Sequence, residues 1–230
     1  GRATALLQFM EFDKAYRAVV RLGAETDTLA ATGRVLATKP VTCTPEQAAA
    51  AVLALKGKRL QRPPMVSAVK VGGKRLHEFA REGKTVDRPE REIEVSRVDV
   101  VRTALPDVEF DCDVSSGTYV RVLAEDLGRA LGCGAHLFSL RRIRVGPFRV
   151  ENAVPPDLID IARLAPPSAG VAHLPARELS MEEAAAVGHG RGVAWAGKGL
   201  VRLVLGSRLL AIAEGSGTLA KPRRVFPEGL

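Results

Sequence analysis

Alternation of apolar and polar residues predicts several strands in the first two thirds of the chain. The segment DVEFDCDVS alternates without error, and its apolar side is formed by Val108, Phe110, Cys112 and Val114. Strict alternation is typical of a strand with one buried face, so we interpret the intervening carboxylates as the solvent face and not as a metal or acid/base site. KAYRAVVRLG, residues 14–23, predicts another strand. EIEVSRVDVV predicts a further strand that changes face partway, which is typical of a bulge or a strong twist.

Capping residues and helical spacing predict three helices in the same region. Thr44, Pro45 and Gln47 form a capping-box start for a helix that we expect to continue to Gly57, after the loop-like ETDTLAATG. KRLHEFAREG, residues 74–83, predicts a short amphipathic helix. The third helix follows a glycine turn in SSGTYVRVLAEDLGRALGCGAH, and its buried stripe contains Val120, Leu123, Ala124, Leu127 and Leu131.

Tyr119 and Arg121 fall in the first turn of that third helix. A positive charge at this end opposes the helix dipole. Glu125 lies four residues after Arg121, so a surface ion pair is the simplest structural explanation. Taken alone, the pattern favours that ion pair.

A proline-rich interval divides the chain. AVPPDLID and LAPPSAG flank one short helix, which is typical of a domain boundary. From about Pro175 the pattern predicts a helix capped by Ser180 and a hairpin around Gly206 and Ser207. The sequence therefore predicts an α+β protein with a large first domain and a small second module.

Positive charge is concentrated in two segments. The 230 residues carry a formal net charge of +8, and eleven basic but four acidic residues lie between Lys56 and Arg91. SLRRIRVGPFR, residues 139–149, adds four arginines and no acid. Such clusters are typical of proteins that bind polyanions, because neutralising phosphates releases counterions. The charge distribution therefore indicates a nucleic-acid partner.

Motifs for several other classes are missing. The apolar runs are too short to cross a membrane and no charged leader opens the chain, so we expect a cytoplasmic protein. The three cysteines and four histidines fit no metal, disulfide or triad spacing. No P-loop, dinucleotide fingerprint, HExxH or GxSxG motif occurs. We expect no metal and no cofactor.

Several long blocks resemble one family. GRATALLQF, KAYRAVVRLGAETDTLAATG, RPPMVSAVKVGGKRLHEFAREG and SSGTYVRVLAEDLGRALGCGAHLFSLRRIRVGPF resemble the bacterial TruB-type tRNA pseudouridine synthases, in the same order and over nearly the entire chain. The resemblance implies the pseudouridine synthase fold, with a mixed, largely antiparallel sheet and a small C-terminal PUA-like α+β module. It implies a catalytic domain at 1–155 with an RNA-gripping insertion at about 64–91, a linker at 156–174 and an RNA-binding module at 175–230.

The same resemblance implies that the protein flips uridine 55 out of the T-loop of tRNA and isomerises it to pseudouridine without a cofactor. Arg121 is expected to pair with a catalytic aspartate, and Tyr119 to help hold the site. Tyr16 is expected to lie against the flipped uracil, with Leu140 as another wall of the pocket. The expected partner is the T-arm stem-loop, bound by a monomer; the implied RNA contacts are Lys70, Lys74, Arg75, Arg81, Arg141, Arg142 and Arg144.

The implied nucleophile is the aspartate of a GHxGxLDPxATG segment, which in this family precedes the GxATxxxQ block. The sequence starts at that block with Gly1 and contains neither GHxG nor LDPxATG, so we expect the aspartate upstream of Gly1. Asp27, beside LAATG, is not the missing residue.

Two alternatives stay open: a non-catalytic RNA-binding or RNA-folding protein, and a sister synthase that acts on another RNA. The insertion at 64–91 argues against the sister synthase, because the resemblance implies that stand-alone tRNA enzymes use this insertion to grip the T-arm.

Overall fold

The structure, a computed structural model, describes residues 1–162 and 164–230. The chain forms two compact units, one at Phe12–Ala153 and the other combining Gly1–Glu11 with Val154–Leu230. The sequence placed residues 1–11 with the large domain. They pack instead in the C-terminal unit, because Leu6 and Phe9 are buried there against a separate apolar cluster.

The large unit is built on a six-stranded, fully antiparallel sheet. Its strands are β1 (Lys14–Leu22), β4 (Gly57–Gln61), β7 (Arg91–Ala104), β8 (Asp107–Val114), β9 (Ala135–Val145) and β10 (Phe148–Arg149). Their order across the sheet is β10-β9-β1-β8-β7-β4. Strands β2 (Ala24–Thr26) and β3 (Val35–Thr38) form a short hairpin that flanks the stretch predicted as a loop, residues 25–33, because β2 overlaps its start and β3 begins just after its end.

Helix α1 (Pro45–Leu53) begins where its capping residues predict. Helix α3 (Val120–Ala130) begins slightly later than predicted, because Tyr119 is its N-cap residue and does not belong to its first turn. At α1, Gln47 N–H donates to Thr44 Oγ1 at 3.3 Å while Thr44 N–H donates to Gln47 Oε1 at 2.8 Å. This helix ends four residues before the predicted limit, because Gly57 already belongs to β4.

Helix α2 (Leu76–Arg81) is shorter than predicted at its N-terminal end. Strands β5 (Lys70–Val71) and β6 (Lys74–Arg75) form a hairpin immediately before it. The two connecting residues, Gly72 and Gly73, have φ angles of 58° and 83°. Two successive positive φ values define the tight turn that such hairpins prefer, so this segment is drawn out of the helix.

The core lies on one face of the sheet and confirms the alternation of β8. Val108, Phe110, Cys112 and Val114 are at most 1% exposed, and they pack with Leu123 and Leu127 of α3 in one cluster. Strand β7 has two register irregularities, between Val95 and Arg97 and between Val100 and Arg102, which confirms the predicted bulge. On the other face, the carboxylates of β8 pair with arginines of β1, β7 and β9.

The smaller unit has a five-stranded sheet and one α-helix. Its elements are β11 (Ala176–Glu178), α4 (Met181–Gly188), β12 (Val193–Ala194), β13 (Lys198–Leu205), β14 (Arg208–Ser216) and β15 (Leu219–Val225). The strand order is β11-β13-β14-β15-β12, in which the β11–β13 pair is parallel. The predicted capping box at Ser180 and the hairpin around Gly206 are both present. A 3-10 helix at Arg2–Phe9 packs in one apolar cluster with residues of β14.

Candidate active site and RNA-binding surface

Tyr16, Leu140 and Arg142 share one face of the neighbouring strands β1 and β9. Tyr16 lies directly opposite Arg142, and Ala18 lies opposite Leu140. Because partners across an antiparallel pair point to the same side, and residues two apart along a strand do too, these side chains form one surface. Tyr16 is half-buried against the core, whereas the side chain of Leu140 is 44% exposed. An aromatic ring beside an accessible apolar side chain can receive a planar base.

Arg121 projects from the first turn of α3 toward the segment that precedes β5. One terminal guanidinium nitrogen donates to the carbonyl oxygen of Val66 at 2.6 Å. The guanidinium carbon is 5.6 Å from the ring centroid of Tyr119, the residue that caps the helix. The predicted ion pair between Arg121 and Glu125 is wrong. Glu125 instead pairs with Arg129 at 3.4 Å, one turn further along the helix.

The charge of Arg121 has no acidic partner among residues 1–162 and 164–230. Burial lowers the pKa of its guanidinium, since the charged form loses water, and Tyr119 acts in the opposite direction. An arginine nevertheless stays protonated in proteins. A half-buried cation of this kind stabilises a carboxylate placed beside it and lowers that carboxyl's pKa, by about one to three units in typical cases.

Gln61, the last residue of β4, fixes the backbone at the start of α3 and was not recognised from the sequence. Its Oε1 accepts from Tyr119 N–H at 2.8 Å, and its Nε2 donates to the Tyr119 carbonyl at 3.1 Å. The residue is 4% exposed. A glutamine within KRLQR gives no signal of such a role, because its partner is 58 residues away in the sequence.

A cleft of about 530 Å³ runs beside this junction. Its walls come from the loop at 27–29, the segments at 60–66 and 88–90, and the outer face of α3. Glu125 and Asp126 line the cleft, and burial raises the pKa of both carboxyls. Val66, whose carbonyl accepts from Arg121, also lines the cleft, so the hydrogen bond links the arginine to a residue of the cleft wall.

The predicted RNA contacts of the insertion lie on the β5–β6 hairpin and on α2. Lys70 and Arg75 are paired across the hairpin, and both are exposed, as is Arg81 at the end of α2. Lys74 differs from them because its ammonium pairs with Glu82 and lies 4.9 Å from the Phe79 ring centroid. The structure thus brings together three exposed cations and one that is already partnered.

The arginines of β9 are not equivalent. Arg141 and Arg142 are exposed. The guanidinium of Arg144 contacts the carboxylates of Asp13 at 2.7 Å and Asp113 at 2.8 Å, and its side chain is only 16% exposed. Its role as an RNA contact stays a prediction, and in the structure its charge is already paired with these two carboxylates.

Neither a metal centre nor a transmembrane helix is found in the part of the chain that the structure describes. Among those residues, no group of three or more histidine, cysteine, aspartate or glutamate side chains could hold a metal ion. None of their helices has the length and apolar character needed to span a bilayer. The three cysteines are free thiols, and burial raises the pKa of Cys112 to about 12.

Comparisons with known proteins agree with the resemblance of the sequence blocks. Residues 1–120 match the TruB family pseudouridylate synthase N-terminal domain, and residues 121–164 match the tRNA pseudouridylate synthase B C-terminal domain. The tRNA pseudouridine synthase B of Aromatoleum aromaticum is 43% identical over 98% of this chain and 77% of its own length. The Burkholderia mallei protein of the same name is 41% identical over 100% of this chain and 82% of its own.

Solved structures confirm the predicted pseudouridine synthase fold. A chain of a Cbf5-Nop10-Gar1 complex is 25% identical, has a TM-score of 0.69 and is matched over 70% of its length by 97% of this chain. A chain of the archaeal box H/ACA sRNP Nop10-Cbf5 complex is 23% identical with a TM-score of 0.68, and the same shares of the two chains are covered. The chain belongs to the TruB family of pseudouridine synthases.

Proposed function

We propose that this protein is a tRNA pseudouridine synthase that isomerises uridine 55 in the T-loop. The observation that carries the proposal is Arg121, a half-buried cation without an acidic partner among the described residues, held beside Tyr119. The names of relatives at 41–43% identity support tRNA as the substrate class. A carboxylate nucleophile beside Arg121 would remain ionised and reactive at neutral pH, because the guanidinium favours its charged form.

The nucleophile in this proposal is an aspartate in residues that precede Gly1. It attacks the ring or the sugar and forms a covalent bond there, and the bond between ribose C1′ and uracil N1 breaks. The base then rotates in place, C5 bonds to C1′, and the bond to the aspartate breaks, which returns the free carboxylate. The C5 proton is lost and N1 gains a proton, so the reaction is an isomerisation that needs no oxidant or cofactor.

Tyr16 and Leu140 would hold the uracil while it rotates. A uridine within a folded stem-loop must leave its stack before a protein group can reach it. Tyr16 offers a ring face and Leu140 an exposed apolar surface on the same side of the sheet. Apolar walls of this kind favour rotation, since they bind the base without fixing its hydrogen-bonding edge.

The insertion at 64–91 and the unit around β11–β15 are the proposed RNA-binding parts. Lys70, Arg75 and Arg81 present exposed charge from the insertion, which supports contact with the phosphates of the T-arm. Arg141 and Arg142 extend that charge along β9. The C-terminal unit is proposed to bind RNA as a PUA-like module.

Tritium release tests the reaction. Full-length protein is incubated with a tRNA transcript labelled with tritium at C5 of its uridines, and a transcript with cytidine at position 55 serves as the control. We expect release from the first transcript and none from the second. Release that persists with the control would favour a synthase for another uridine, and binding without release would favour a non-catalytic RNA-binding protein.

A further inference from the structure

Two hydrogen-bonded links join the segment at 61–66 to the start of α3. The side chain of Gln61 forms both backbone hydrogen bonds with Tyr119, and the carbonyl of Val66 accepts from Arg121. Both links therefore reach the start of α3, where Arg121 lies. The same segment precedes the β5–β6 hairpin of the insertion in the sequence, so it connects the proposed RNA contacts to the residues that hold the start of α3.

Gln61 supplies the acceptor for a backbone N–H that the helix itself leaves without a partner. Tyr119 is the residue before the first turn of α3, and the first N–H groups of a helix have no partner within it. Among the described residues, Gln61 Oε1 is the acceptor of the Tyr119 N–H. The Tyr119 carbonyl accepts from the N–H groups of Val122 and Leu123, and Gln61 Nε2 is a further donor to it. The Tyr119 side chain forms no capping hydrogen bond, and Gly117, two residues earlier, has a φ of 85°, so the chain turns sharply just before the residue that Gln61 holds.

We propose that Gln61 is a positioning residue for Arg121. It bonds the backbone of Tyr119 at both its N–H and its carbonyl, in the two peptide groups that flank the residue, which sets the direction of the first turn of α3 and so the place of the guanidinium two residues later. The proposal rests on the proposed function, because Arg121 must act in the reaction for its position to matter. Gln61 itself is buried and acts through Arg121 without touching the reacting atoms.

A purely structural role would produce a different result. Loss of two buried hydrogen bonds lowers stability whatever their position. A positioning role additionally lowers kcat while the affinity for tRNA is retained, since the RNA-binding side chains at 70–81 are untouched. The separation of kcat from tRNA affinity therefore distinguishes the two roles.

The test compares two variants of Gln61 with a matched control in the full-length protein. Gln61→Met keeps the size of the side chain and removes both bonds. Gln61→Glu keeps the acceptor for the Tyr119 N–H and loses the donor to its carbonyl. Thr26→Val is the control, because Thr26 is also buried, at 2% exposed, and its hydroxyl donates to the Ala30 carbonyl at 2.9 Å, so it takes no part in the hydrogen bonds to Tyr119 or Arg121.

We expect single-turnover rates for Gln61→Met to fall by about 10- to 100-fold, since misplacement by about 1 Å has effects of this size. The tRNA Kd should stay within about twofold. Gln61→Glu should lose less, and it carries the test if Gln61→Met does not fold. Thr26→Val should keep its rate when it is assayed well below its melting temperature.

Three results would overturn the proposal: a folded Gln61 variant with the wild-type rate, a loss that appears in tRNA Kd, or a rate loss equal to that of Thr26→Val. Wild-type protein is assayed in the same experiment. Failure of the wild type to form pseudouridine would count against the proposed function. An active wild type with unaffected Gln61 variants would count against the positioning role alone.

Discussion

Arg121 donates to the carbonyl oxygen of Val66 at 2.6 Å, across 55 residues of sequence, and forms no ion pair with Glu125. A neutral carbonyl orients a guanidinium but leaves its charge uncompensated. The bond therefore keeps the cation in place and available for an anionic group.

Replacement of Arg121 by alanine should abolish most turnover while the fold is retained. The expected fall in single-turnover rate is about 100- to 1,000-fold, the range found when a stabilising donor of a reacting group is removed. Arg129→Ala is the control, since Arg129 lies on the same helix and pairs with Glu125 and Asp126. Near wild-type turnover of Arg121→Ala in the full-length protein would refute the assigned role.

Tyr16 should contribute through its ring. Tyr16→Phe keeps the ring face and should retain most activity. Tyr16→Leu should lose about 1–3 kcal/mol in the free energy of tRNA binding or of activation, the usual value of stacking one base on an aromatic side chain. Single-turnover rates at saturating tRNA, together with Kd values, measure the loss. Equal activity of the two variants would show that no base stacks there.

The exposed cations of the insertion should govern tRNA affinity and its dependence on salt. The combined Lys70→Ala, Arg75→Ala and Arg81→Ala variant should bind tRNA more weakly. Each phosphate contact that it loses should reduce the slope of log K against log salt by about 0.7 to 0.9. Lys58→Ala is the matched control, because Lys58 is exposed outside the insertion and pairs with Glu92 at 3.6 Å. An unchanged slope in the triple variant would remove these residues from the RNA contact.

Arg144 should matter for stability more than for RNA affinity. Arg144→Met leaves the carboxylates of Asp13 and Asp113 without their shared partner and should lower the free energy of unfolding by about 1–3 kcal/mol at pH 7. Arg142→Ala, an exposed neighbour on the same strand, should instead weaken tRNA binding. Urea denaturation and tRNA titration of both variants separate the two roles, and weaker tRNA binding by a fully stable Arg144→Met would reverse the assignment.

The stability effect of Arg144 should depend on pH. Its hydrogen bond is the main cause that holds the pKa of the Asp13 carboxyl below the usual value. A lowered native pKa contributes stability above the unfolded value, about 3.9, and this contribution is lost as the pH falls through the native pKa. The gap in unfolding free energy between wild type and Arg144→Met should therefore be full at pH 7 and shrink below about pH 4. A constant gap from pH 7 to pH 2 would contradict this assignment.

Local sequence patterns predicted the elements whose determinants are close together in the chain. The alternation of β8 and the capping boxes at Thr44 and Ser180 are examples, because each depends on residues within a few positions. The alternating carboxylates were also correctly interpreted as the face opposite the core. Charge clustering indicated a nucleic-acid partner, and the family resemblance supplied Tyr16 and Leu140 as candidates that no local pattern marks.

Contacts between residues that are far apart in the sequence explain the features that local patterns did not predict. Arg121 turns toward Val66 because the start of the insertion folds against α3, which helical spacing cannot reveal. Gln61 acquires its partner only when β4 reaches the start of α3. Residues 1–11 join the C-terminal unit because Leu6 and Phe9 find apolar partners there, far away in sequence.

Nucleotide-resolved mapping of pseudouridine tests the central claim most directly. A tRNA pool free of modification is incubated with the full-length protein, and every uridine is examined before and after the reaction. We expect new pseudouridine at position 55 and at no other position, and its loss with Arg121→Ala. Pseudouridine at a different position, or none at all despite tRNA binding, would contradict the account.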